Sequence, residues 1–175
     1  MGEVLDYEQP TKYLVSTTNY SDDFKTPVLT AGKTFILGYT DEKTGIYLGS
    51  KSPVIIFDDF TTANKWVDFD FKAKSSAMKM ITSKNENMIL LKFVYYWLNT
   101  LPEEENTDHK RQWISNFANK LVPILPINEQ KRIVEILDKF ETLTHSITQG
   151  LPKEITLCKQ QYEYYREQLL DFPRN

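Results

Sequence analysis

The chain has 175 residues, 41% of them hydrophobic and 26% charged, enough for one globular domain with an appendage. No run approaches the ~18 consecutive apolar residues of a membrane span, and a single cysteine, Cys158, excludes a disulfide framework. A net charge of −3 removes the bulk basicity that would by itself point to nucleic acid.

The opening MGEVLDYEQP lacks the basic-then-apolar layout of a signal peptide, so a reducing cytoplasm is the expected location. Residues 1–100 read as β-rich. KYLVSTT (12–18), PVIIFDD (53–59) and AMKMIT (77–82) are rich in Val, Ile, Tyr and Thr, with turn signals at Thr44-Gly45, Leu48-Gly49-Ser50 and Ser52-Pro53. WVDFDFKAK (66–74) alternates strictly. Val67, Phe69, Phe71 and Ala73 take one face, with Trp66, Asp68, Asp70, Lys72 and Lys74 on the other, which predicts a strand. Lys65, Lys72, Lys74, Lys79 and Lys84 against Asp68 and Asp70 make the neighbourhood a basic stripe, while acid collects at Glu103, Glu104 and Glu105.

Helices follow. NENMILLKFVYYWLNTL (85–101) is long, apolar and closed by Pro102, and a shorter helix is predicted over 108–119 with Asp108 as N-cap. LVPILPI (121–127), with two prolines, is extended. Beyond it, Ile133, Ile136, Phe140, Leu143 and Ile147 recur in alternating steps of three and four. Ile155, Cys158, Tyr162, Tyr165, Leu169 and Phe172 do the same. These are seams that pack helices side by side. The two registers do not join, and Gly150 and Pro152 sit at the mismatch, so two helices are expected, each roughly 30 Å long at ~1.5 Å per residue. Helices with so narrow a seam need a partner.

Asp59, Asp70 and Lys72 match the skeleton of a Mg²⁺-dependent nuclease, two carboxylates for the metal and a lysine beside the attacking water; the polar face of a half-buried strand explains the same residues. FDDFTTANK (57–65) suits a turn capped by Asp and Thr side chains, or DNA contact through Thr61, Thr62 and Asn64. KAKSSAMK (72–79) suits a phosphate-gripping strand or a solvated face. His109 and His145 have no companion at zinc-ligand spacing. No nucleotide-binding glycine motif or methyltransferase signature occurs, so no metal or cofactor is expected.

The stretch 125–172 closely resembles the conserved spacer of type I restriction–modification specificity subunits. The resemblance rests on Pro126, Glu129 and Gln130, on Ile133-Val134 and Leu137-Asp138, on Gly150-Leu151-Pro152-x-Glu154-Ile155, and on Gln161-Tyr162-x-Tyr164-Tyr165-Arg166. Upstream, Tyr13, Thr26 to Gly32, Ile36 to Thr40, Phe57 to Thr62 and Phe71 to Lys79 are similar to one branch of that family's target-recognition domains.

The resemblance implies an α+β fold, with a β-rich recognition domain over 1–125 and a helical spacer over 126–175 whose two segments pack as an antiparallel pair or coiled coil. It implies sequence-specific binding of double-stranded DNA without catalysis. Methyltransferase subunits docked on the spacer would methylate adenine, and a separate motor-nuclease subunit would cleave unmodified DNA. A complete subunit of that family carries two recognition domains and two spacers, so this chain is expected to be either an excised half or a natural half-length subunit; the latter would pair with a copy of itself through the seams and read a palindromic bipartite site. The candidate DNA contacts are Lys33, Thr40, Lys43, Thr61, Thr62, Lys65, Lys72, Lys74, Ser75, Ser76 and Lys79, with base readers sought in 41–52 and 103–112.

Overall fold

The structure, a computed structural model, describes residues 1–31, 34–101, 113, 116–150 and 160; the side chains of 143–150 are outside that set. Two apolar strands form the centre of the first sheet. β4 (Val54–Asp58) is buried at every position, which is why PVIIF reads as a continuous apolar run and not as an alternation. Its antiparallel neighbours are β7 (Met78–Ser83), with Asp58 opposite Met78, and β5 (Asn64–Val67), with Phe57 opposite Asn64. β1 (Leu5–Glu8) completes an antiparallel sheet ordered β1-β7-β4-β5. The second sheet, ordered β3-β2-β6, holds β2 (Thr26–Leu29) antiparallel to β3 (Ile36–Thr40) and parallel to β6 (Lys72–Ala73).

Strand parity sorts the core. Val54, Ile56, Met78, Met80 and Val67 join Leu29, Tyr47, Phe71 and Ala73 in one buried cluster. On the opposite parity of β4 and β7 stand Ile55, Phe57, Lys79 and Ile81, all buried, with the ring of Phe57 5.2 Å from Trp113 and 4.9 Å from Phe117.

The continuous strand expected over 66–74 does not form. Its ends pair in different sheets: Val67 closes β5, whereas Phe71 bridges Tyr47 and β6 lies beside β2. The switch is pinned by Asp70, whose carboxylate accepts the Ser50 amide (3.1 Å) and hydroxyl (2.6 Å). Gly49 permits it, since a side chain there would run into the Phe69 backbone. Alternation reports which face a residue occupies but not which sheet each end joins. KYLVSTT is likewise no strand; Pro10–Tyr13 is a 3-10 turn and Leu14 makes a single bridge to Ala73.

Helix α1 (Leu91–Leu98) is shorter than the expected 85–101 and buries Leu91, Phe93, Val94 and Leu98. Residues 85–89 form turns closed by Met88 and Ile89 amides on the Asn85 carbonyl, with the Asn85 side chain accepting the Asn87 amide. Of the helix expected over 108–119, the described part ends in a 3-10 turn at Phe117–Asn119, and Asp108 lies outside the described residues. Residues 121–126 are irregular, as two prolines require, and α2 (Ile127–Gly150) follows. The chain divides into two compact units, Met1–Arg132 and Ile133–Asn175, so the first turn of α2 belongs with the β-rich unit. No helix among the described residues is long and apolar enough to cross a membrane.

Candidate nucleic-acid interface

The β4–β5 connection is a turn closed on Asp58. The Asp58 carboxylate accepts the Phe60 and Thr61 amides at 2.9 and 3.3 Å, while its backbone pairs with Thr62 and Ala63. Thr62 has φ +62°, a conformation costly for a β-branched residue and held here by the surrounding bonds. Because Asp58 is opposite Met78, this turn and the 74–77 loop leave the first sheet at the same end. The fold therefore brings Thr61 and Thr62 to one edge with Lys74, Ser75 and Ser76. Thr61, Lys74, Ser75 and Ser76 are exposed, Thr62 is half-buried, and Lys65, on β5 opposite Ile56, is exposed a short way back. Phe60, 43% exposed in the same turn, was not among the sequence candidates.

Three candidates are unable to reach a ligand. Lys72 is 2% exposed, its ammonium on Glu42 at 2.5 Å and on the Thr44 carbonyl at 2.8 Å. Lys79, also 2% exposed, faces the buried Asp59 carboxylate at 3.6 Å, with the Tyr7 ring 5.1 Å away. Thr40 is buried at the end of β3, its hydroxyl accepting the Glu42 amide. Lys84 donates to the Gly2 carbonyl and lies 3.7 Å from Asp6. Of the basic stripe expected over 65–84, Lys65, Lys74 and Lys84 are thus at the surface, the last of them tied to Gly2 and Asp6. Lys43 is exposed but follows β3 at the Thr26 end of the second sheet, opposite the Leu29 end from which Lys74 departs. Lys33 lies outside the described residues.

The nuclease skeleton is dispersed over separate partners. Asp59 binds Lys79 and accepts the Trp113 amide at 2.8 Å. Asp70 binds Ser50, whose hydroxyl holds the Asp70 carboxyl below its ordinary range, and Lys72 belongs to Glu42. Among the described residues no three His, Cys, Asp or Glu side chains are grouped to hold a metal ion.

On α2, Ile133 is half-buried, whereas Ile136 and Phe140 are 41% and 61% exposed. The side chains of Leu143 and Ile147, and the residues Ile155, Cys158, Tyr162, Tyr165, Leu169 and Phe172, lie outside the described set.

Comparison with known proteins adds to this geometry. Residues 1–157 match the family model described as the type I restriction modification DNA specificity domain. The chain is 63% identical over 180 aligned residues to the Escherichia coli type I restriction enzyme EcoR124I/EcoR124II specificity subunit, covering 98% of this chain and 44% of that protein. It is 43% identical over 90 residues to a putative type I restriction enzyme specificity subunit of Haemophilus influenzae, covering 50% of this chain and 23% of that one. Among solved structures, the fold is similar to the S subunit of a type I restriction–modification system from M. genitalium, with a TM-score of 0.61 at 15% identity over 97% of this chain and 45% of that one. A structure described as showing complex assembly of the type I system gives a TM-score of 0.60 at 16% identity, over 91% and 42% of the two chains. The chain spans less than half the length of the relatives it matches.

Proposed function

Because the chain belongs to the type I restriction–modification DNA specificity family, we propose that it recognises a DNA sequence and performs no chemistry itself. It directs adenine methylation and restriction, carried out by methyltransferase and motor-nuclease subunits in the cytoplasm. The observation that carries this reading is the identity of 63% running through 98% of the chain, recognition part and helical part together.

Residues 1–125 serve as the recognition domain and 126–175 as the spacer that docks the methyltransferase. Acting as half-subunits, two copies pair through the seams of the spacer helices and read a palindromic bipartite site. The exposure of Ile136 and Phe140 supports a partner on that seam. On DNA, the edge bearing Thr61, Thr62, Lys74, Ser75 and Ser76, with Lys65 behind it, meets the duplex; the lysines grip phosphates and the hydroxyls bond phosphate or base edges. Lys43, at the other end of the second sheet, would contribute a second contact region, and Lys33 is a further candidate contact.

A salt series on the assembled complex tests the interface. Each phosphate contact removed lowers the slope of log K against log[salt] by about 0.9. Lys65→Ala and Lys74→Ala should each do so, measured by fluorescence anisotropy on labelled duplex. Unchanged slopes for both would move the interface elsewhere.

A further inference from the structure

Gln130 stands in the first turn of α2 and is wholly buried, although Asn128, Glu129, Lys131 and Arg132 around it are exposed. Its amide oxygen accepts the Leu90 amide at 2.8 Å, and its nitrogen donates to the Met88 carbonyl at 3.0 Å and the Leu125 carbonyl at 2.7 Å. Both donors of the side-chain amide are thereby used. The groups it ties belong to two different stretches. One leads into α1, where the Leu90 amide would otherwise be an orphan of the helix start; the other is the irregular segment that delivers the chain to α2. The Pro126 carbonyl opens α2 by accepting the Glu129 and Gln130 amides at 2.9 and 3.1 Å. An apolar side chain would fill the volume, but only an amide sets the angular position of this turn through three directional bonds.

We propose that Gln130 is a positioning residue that clamps the root of the spacer helix, residues 127–132, to the recognition domain. This rests on the reading above, in which the spacer sets the gap between two half-sites. A clamp that slackens loses its discrimination between gap lengths, while contacts within each half-site are retained.

The test compares the full chain, in its complex with the methyltransferase, as wild type, Gln130→Glu and Gln130→Met. The first variant retains an acceptor for Leu90 but turns an oxygen toward two carbonyls; the second keeps the length with no polar partner. Hydrogen exchange should quicken about tenfold or more at Leu90 and at 127–132 in both, with β4 and β7 still protected. The ratio of methylation rates on the cognate site and on sites with the gap altered by one base pair should fall several-fold in both.

Unchanged exchange, a loosened root with an unchanged ratio, or protection lost throughout β4 and β7 in both variants would each overturn the clamp. A wild-type complex that methylates neither site fails the reading of function, and the exchange result alone then upholds or overturns the clamp.

Discussion

The carboxylate of Glu42 gathers the Lys72 ammonium and the Ser16 and Thr17 amides, and the Lys72 bond above all lowers its pKa from 4.5 to about 2. A depressed carboxylate stabilises the fold above its unfolded pKa and loses that contribution as pH falls toward the folded value. The melting-temperature deficit of Glu42→Gln against wild type should therefore be full at neutral pH and shrink between pH 4.5 and about 2; a deficit that stays constant across that window would contradict the assignment. Asp59 and Lys79, each 2% exposed, form the second internal pair. Removing one partner of such a pair leaves a buried charge alone, so Asp59→Ala should cost about 3–5 kcal/mol in denaturant titration, and Asp59→Asn with Lys79→Met should cost less. Gly45 has φ +62°, and a methyl there would meet the Lys12 carbonyl at 2.9 Å. Gly45→Ala should lower stability by about 1–2 kcal/mol, read from the same titrations.

At the scale of elements, α1 begins at Leu91 and not where its apolar run begins. The Glu86 carboxylate accepts the Leu91 amide, and Gln130 accepts that of Leu90 from 40 positions away. No local pattern registers a cap supplied from so far along the chain. β4 and β7 were legible because central strands are dense in apolar residues, and α2 because its seam repeats over many turns. The strand over 66–74 was legible in parity but not in pairing. The site followed the same rule: Thr61, Lys74, Ser75 and Ser76 sit in turns and are exposed as their composition suggests. Lys72 and Lys79 were misplaced because Glu42 and Asp59 reach them only through the fold, Glu42 from 30 positions upstream. The seam carries its own prediction. Ile136 is 41% exposed, so Ile136→Asp should weaken self-association in analytical ultracentrifugation while leaving the melting of the β-rich unit nearly unchanged. An unaltered association constant would remove Ile136 from the seam.

In the whole molecule, a β-rich unit whose lysines are partly consumed in its own interior is followed by a helix on which Ile136 and Phe140 are exposed. Few surface lysines remain on the proposed edge, so affinity depends on partner subunits and on pairing as well as on Lys65 and Lys74. This makes the assembled complex the right object to measure. The most direct measurement is methylome sequencing of cells expressing this chain with its cognate methyltransferase subunit. The account predicts N6-methyladenine at one defined sequence, two inverted half-sites separated by a constant gap. Methylation that is absent, or that falls without a shared sequence, would contradict it.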